Sequence, residues 1–261
     1  FQGADKRYSI DDPQISQEER RNTLKNYLIG VRDKDIYVDK DGADYVSTVG
    51  ISLTQSIVRD SRNRPEFPTN GSEMTLISTV SGLFLGGNED FHKHVLTLKW
   101  YMPLVSKLVF YQMTKIGVIK QIRDPDGRSI LPPEEKFYMG GTGIPFGEML
   151  RGYRDNTVGP YDGRPLGATT MFKYSAEIRL SLSENPTIYT LAFVDIGDAW
   201  EDFSHLDPFK LKRSAGVGVR MFMPMLGMLG LDMGYGFDYV DADNEARPRG
   251  WEMHFIFGQP F

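Results

Sequence analysis

Few residues in this chain have the types and spacing that bond-making chemistry needs. Its 261 residues include no Cys, which excludes thiolate catalysis, a disulfide framework and Cys-ligated zinc. No nucleophile elbow, phosphate-cradling loop, dinucleotide fingerprint or zinc-protease helix motif is present. His92 and His94 would share one face of a strand, but the chain has only four His, and the acids beside this pair are Glu89 and Asp90. No metal is expected there. Asp39-Lys40-Asp41-Gly42-x-Asp44 opens like a calcium loop yet lacks the distal Glu, so it reads as a turn, as do 124–127 and 241–244. No catalytic residue and no cofactor is expected, and an enzyme ranks last among the function classes.

Three segments resist so plain a reading. The first is Phe137-Tyr138-Met139-Gly140-Gly141 followed by Leu150-Arg151-Gly152-Tyr153. Gly152 permits close backbone approach, and Tyr153 offers a flat ring with a polar tip. Spacing alone leaves Arg151 open between a side chain folded back onto the protein and a solvated loop Arg. The second is Asp195, within the otherwise apolar run Phe193-Val194-Asp195-Ile196-Gly197. A lone carboxylate there is costly to desolvate, so it faces water or meets a cation, and Arg151 is the natural candidate. The third is the terminus, where Trp251, Met253, Phe255 and Phe257 alternate before Gly258 and the final Phe261.

The elements that must hold these residues are strands. In 229–239 the odd positions are Leu, Leu, Met, Tyr, Phe and Tyr, while the even ones are Gly or Asp. Successive side chains of a strand leave on opposite faces, so one face is apolar and the other small or acidic. Residues 173–182, 45–58, 214–223 and 251–257 alternate in the same way, and weaker candidates are 24–39, 73–83, 94–102, 108–120 and 187–196. That predicts about ten strands. Short turns (Lys40-Asp41-Gly42, Met102-Pro103, Pro224 with Gly227) separate some; long polar or Gly-rich loops at 86–91, 121–144, 155–167 and 198–212 separate others. The polar head, residues 1–23, reads as an exposed loop or short helix.

Several strands run to the length a tilted strand needs to cross hydrocarbon, and Trp100, Tyr101, Tyr235, Tyr239 and Trp251 gather at strand ends as a membrane-interface girdle would. The opposite faces carry Glu177, Arg179, Asp195, Arg220, Asp232 and Glu252, which suits a wet lumen. The predicted fold is therefore all-β, an antiparallel transmembrane barrel filling residues 24–261. A soluble β-sandwich, and with it a soluble β-rich binding protein, is the alternative. No run approaches the ~18 apolar residues of a membrane helix. A formal net charge of -5 argues against a nucleic-acid partner. The first residues lack a positive segment followed by an apolar core, so no secretory signal is expected at this start.

In order along the chain, Arg59-Asp60-Ser61-Arg62, Phe67-Pro68-Thr69-Asn70-Gly71-Ser72, Phe137–Gly141, Leu150–Tyr153, Asp195–Gly197, 214–218 and the aromatic terminus together resemble the BamA family of outer-membrane β-barrel assembly factors. The texture of 213–220 is similar to members from the Bacteroidetes lineage. The resemblance implies that this is the C-terminal part of a sixteen-stranded barrel, without the periplasmic polypeptide-transport-associated domains of the family. It implies that Leu150, Arg151, Gly152 and Tyr153 form an inward-folded loop that locks onto Asp195 and Gly197. It also implies that Trp251, Met253, Phe255, Phe257, Gly258 and Phe261 form a sorting signal and one side of a lateral seam. The expected partners are nascent outer-membrane barrel proteins, accessory assembly lipoproteins and the lipid bilayer, with no nucleotide, and the expected place is the bacterial outer membrane. A protein-translocating pore of the same superfamily is the runner-up.

Overall fold

Period-two alternation decides most of the architecture. A computed structural model describes residues 2–10, 16–39, 42–122, 129–143, 147–223, 227–240 and 250–258. In chain order its elements are strand β1 (Gln2–Ser9), helix α1 (Gln17–Tyr27) and strands β2 (Tyr37–Val38), β3 (Asp44–Asp60), β4 (Gly71–Ser81), β5 (Phe91–Pro103), β6 (Leu108–Gln121), β7 (Thr170–Glu184), β8 (Thr187–Trp200), β9 (Lys212–Met223), β10 (Gly227–Gly236) and β11 (Trp251–Phe257). The strands form one sheet in the order β1-β3-β4-β5-β6-β7-β8-β9-β10-β11, with β2 added on β3. Neighbours from β7 to β11 pair antiparallel. Among the described residues β1 and β11 stand at the two ends of that order. No described helix is long and apolar enough to cross a membrane.

Two expectations are corrected. Residues 24–39 are not a strand: they hold the end of α1, a short 3-10 turn at Asp33–Asp35 and the two residues of β2. Ser16 accepts from the Glu19 N–H while the Glu19 carboxylate accepts from the Ser16 N–H, a capping box that starts a helix. Leu24 and Leu28, four apart, then share the buried side. The head is not only loop or helix either, because 2–9 pair antiparallel with the first half of β3, from Gln2 opposite Ser52 to Ser9 opposite Tyr45. Backbone pairing to an available neighbour needs little help from side-chain pattern. The turn residues 40–41, 124–127, 224 and 241–244, and Phe261, lie outside the described residues.

The chain divides into two compact units. The first comprises Phe1–Ser56, Ile77–His94 and Val118–Lys136; its core is Leu24, Leu28, Val31, Ile36, Val46 and Ile130. Polar pairs flank this core: Lys6 meets Glu134 at 2.8 Å, and Thr48 donates to Glu89 at 2.6 Å. The rings of His92 and His94 pack 5.1 Å apart, and His94 Nδ1 lies 2.9 Å from the Ser78 hydroxyl. No group of three or more metal-ligating side chains is present among the described residues.

The second unit comprises Ile57–Leu76, Val95–Gly117 and Phe137–Phe261. Its faces are inverted relative to a water-soluble sheet. The apolar face of β7 to β11 is exposed: Ile178 at 49%, Val217 at 56%, Met253 at 67% and Phe255 at 61%. The charged face is buried, with Asp195 and Asp232 at 0% and Glu177, Arg179 and Arg220 under 9%. Turn 61–70 folds against the same unit. Asn63 closes it, its side-chain oxygen accepting from the Thr69 and Asn70 N–H groups. The closure delivers Phe67 into a cluster of Tyr101, Val109, Tyr111, Tyr189, Leu191, Phe193 and Met228.

Candidate functional site

Burying acids and bases on one face of a sheet requires that each find its counter-charge, and a single loop supplies the central one. The connection between β6 and β7 is tied to itself by isolated bridges, Met139 with Glu148 and Val158, and Gly141 with Leu150. These present Leu150, Arg151, Gly152 and Tyr153 to the buried face, and all four are buried. Arg151 makes a two-pronged contact with Asp195: Nε donates to Oδ2 at 2.7 Å and Nη2 to Oδ1 at 2.7 Å. The planar guanidinium matches a carboxylate in this geometry, which a Lys could not reproduce. The Arg151 backbone N–H also donates to Asp195 Oδ2, at 3.3 Å.

Arg151 does more than bind one acid. Its Nη1 lies 2.8 Å from Glu177 Oε1 and 3.4 Å from Asp232 Oδ2, Nη2 donates to Ser175 Oγ at 3.1 Å, and the guanidinium stacks 3.6 Å from the Phe193 ring centre. Ser175 in turn donates to Asp195. Each further acid has a second cation: Arg179 Nε donates to Glu177 at 2.7 Å, and Arg220 donates to both oxygens of Asp232 at 2.5 and 2.6 Å. Three guanidinium groups and three carboxylates thus neutralise one another. Strands β7, β8, β9 and β10 each contribute at least one member.

The neighbours of Arg151 explain its placing. Leu150 is fully buried beside Gly197, where a side chain would meet Leu150 Cδ1 at 3.4 Å and Met139 Sδ at 3.2 Å. Gly152 has φ +83°, a conformation L side chains rarely adopt, and its backbone rests on Gly234 and Gly236 of β10. Tyr153 donates to the Arg213 carbonyl at 2.7 Å and accepts from the Asp238 N–H at 3.3 Å. Burial pushes the Tyr153 hydroxyl above its ordinary pKa. Partial burial would raise the Asp238 carboxyl, but its hydrogen bonds from Arg213 prevail and hold it below the usual carboxylate range.

Gly152→Ala tests the close approach. A Cβ there would sit 2.9 Å from the Gly236 nitrogen, the Ser214 Cβ and the Tyr235 carbonyl carbon, mostly rigid backbone. The variant is expected to weaken docking of the loop by about 1–3 kcal/mol. Faster tryptic cleavage after the exposed Arg154 reports it; an unchanged cleavage rate would reject the fit described here.

The structure brings Arg151 and Asp195 together, with Gly197 against Leu150. Trp251, Met253, Phe255 and Phe257 lie on the exposed face of β11, apart from the loop. Gly258 has φ +64° and donates to the Met228 carbonyl at 2.8 Å. Sequence reasoning saw Glu177, Arg179, Arg220 and Asp232 only as polar lining, not as the loop's partners. It named Phe67 only within a motif and did not foresee its packing or the stack of Arg179, 3.8 Å from the Tyr111 ring centre, because a turn and strands far apart in sequence meet there.

Comparison with known proteins gives this geometry a setting. The model of the Omp85 superfamily domain matches residues 5–261. The outer membrane protein assembly factor BamA of Nitratidesulfovibrio vulgaris is 26% identical over 232 residues, covering 87% of this chain and 27% of that protein. A SAM50-like protein (CG7639) of Drosophila melanogaster is 29% identical over 127 residues, covering 48% of this chain and 26% of that protein. The chain therefore spans about a quarter of the length of these curated relatives. The crystal structure of BamA from Haemophilus ducreyi lacking POTRA domains 1–3 superposes with a TM-score of 0.69 at 18% identity, over 90% of this chain and 46% of that one. The fold is that of part of a BamA barrel, and the resemblance read from the sequence is borne out.

Proposed function

Because the chain belongs to the Omp85 superfamily, we propose that it is the C-terminal barrel part of a bacterial outer-membrane assembly factor, helping nascent β-barrel proteins to fold and insert. The observation that carries this reading is the inversion of faces. An aliphatic surface on strands of 15, 14, 12 and 10 residues, with ion pairs buried behind it, suits a protein whose outer solvent is hydrocarbon. A soluble binding protein would bury the opposite face.

The work done is physical rather than bond-breaking. Strand β11 has only seven residues, bounded by Gly250 and Gly258, against the 9–11 or so a tilted strand needs to span a bilayer. A short strand at the end of the sheet order draws the bilayer thinner beside it, which lowers the barrier to insertion there. Among the described strands β11 pairs only with β10, and its other edge can offer backbone N–H and C=O groups on which a client strand adds. The loop lock keeps β7 to β10 rigid while that edge exchanges partners. Accessory assembly lipoproteins complete the proposed set of partners.

The test uses the full-length protein in phospholipid vesicles and an unfolded eight-stranded outer-membrane barrel as client. Client folding, read as the heat-sensitive shift in gel mobility, is expected to accelerate at least tenfold over empty vesicles. Vesicles that gain no acceleration from the protein would end the assembly reading.

A further inference from the structure

Strand β11 carries one inward-facing group whose chemistry the lock described above does not use. Its exposed side chains alternate with Glu252, half-buried, and with His254 and Ile256, both buried. His254 is 5% exposed and lies opposite Asp232 in the β10–β11 register. The Gly152 backbone N–H donates to its Nε2 at 2.9 Å. An imidazole nitrogen that accepts carries no proton, so the ring is neutral, with its proton on Nδ1.

We propose that His254 is a positioning residue that ties the docked loop to the last strand, so that the two are seated or released together. The geometry at the loop tip argues for this. Two successive N–H groups leave in different directions, that of Arg151 to Asp195 on β8 and that of Gly152 to His254 on β11. Arg151 is fixed by Asp195, Glu177 and Asp232, so the Gly152 amide beside it is held as a rigid donor. Strand β11 ends the sheet order and has β10 as its one strand neighbour in that order. The Gly152 contact is therefore an attachment outside the β10–β11 backbone ladder, joining β11 to a loop that also rests on β7, β8, β9 and β10.

A buried histidine that merely fills space would behave differently. Its replacement by any side chain of similar volume would serve, whereas a tether needs an acceptor at the Nε2 position. Glutamine places a carbonyl oxygen near that point, while alanine supplies none. The donor is backbone, so His254 is the only partner of this bond that substitution can alter cleanly. Linkage makes the effect reciprocal: whatever factor the loss of the tether adds to loop opening, undocking the loop must add to opening of β11. The tether itself stands on the geometry; its bearing on insertion rests on the assembly reading above.

The experiment uses full-length protein folded in detergent micelles, with no client present, so its failure and the failure of the insertion assay are distinguishable. His254→Ala is expected to raise the rate of tryptic cleavage after Arg154 about tenfold, the worth of one buried hydrogen bond. His254→Gln should stay within about twofold of the wild type. In Gly152→Ala, where the loop is displaced, amide exchange in Trp251–Phe257 should rise by a similar factor while that in β8 does not. His254→Gln cleaving as fast as His254→Ala, or β11 exchange unmoved by Gly152→Ala, would overturn the proposal. If His254→Ala gives no heat-modifiable band, the exchange measurement in Gly152→Ala decides alone.

Discussion

Arg151→Ala should cost the folded protein about 3–5 kcal/mol, because it strips the central cation from three buried carboxylates at once. Asp195→Ala should cost less. In that variant Arg151 still has Glu177 at 2.8 Å and Asp232 at 3.4 Å, so the guanidinium is not left unpaired. The asymmetry makes the two losses overlap. In a double-mutant cycle followed by urea unfolding in micelles, the summed single effects should exceed that of the double variant by about 1–3 kcal/mol. Additive effects would sink the pairing as an energetic unit. Arg151→Lys should recover little, since an ammonium group cannot reach both Asp195 oxygens, Glu177 and Ser175 together.

Phe67→Ala is expected to cost about 3–5 kcal/mol, although Phe67 sits in a turn far in sequence from the loop. Its ring packs 4.9 Å from that of Tyr189, and it also lines a cavity of about 580 Å³ beside Arg64, Lys107, Glu184 and Thr187. Removing the ring merges that cavity with the aromatic cluster and lets water reach the Arg179 stack. Arg179 holds Glu177, and Glu177 holds Arg151, so the damage should spread to the loop. Phe67→Leu, which keeps most of the volume, should lose under about 2 kcal/mol. Urea midpoints of the two variants check this; equal midpoints would show that the ring's packing is not what matters.

How much of this was legible depended on the range of the interaction. Alternation in 229–239 and 173–182 identified strands without help, because side-chain direction along a strand is a local property. Asp195 stood out because a carboxylate in an apolar strand demands a partner wherever that partner lies. For helix α1 the sequence reading offers an exposed loop or short helix without using the Ser16–Glu19 capping box, and a period of two imposed on the apolar residues of 24–39 makes them a strand. Glu177, Asp232 and His254 looked like ordinary polar lining, since nothing local says which lining residues a distant loop will touch. Phe67 stands in a motif legible in the sequence, but its burial does not show there, because it depends on Asn63 closing the turn and on three tyrosines from β5, β6 and β8.

The loop is translated before every strand it rests on. Leu150–Tyr153 precede Glu177 and Asp195, then Ser214, Asp232 and Gly234, and finally His254. Its resting place does not exist until those strands have paired correctly, because a slip of one residue would send Asp195 or Asp232 to the lipid side. Docking therefore follows the pairing of β7 to β11, and a docked loop marks that those strands have met in register. A molecule trapped with its loop still protease-sensitive would be one whose strands have met in the wrong order or out of step. The timing of that protection, followed during refolding, would then serve as a clock for the slowest step.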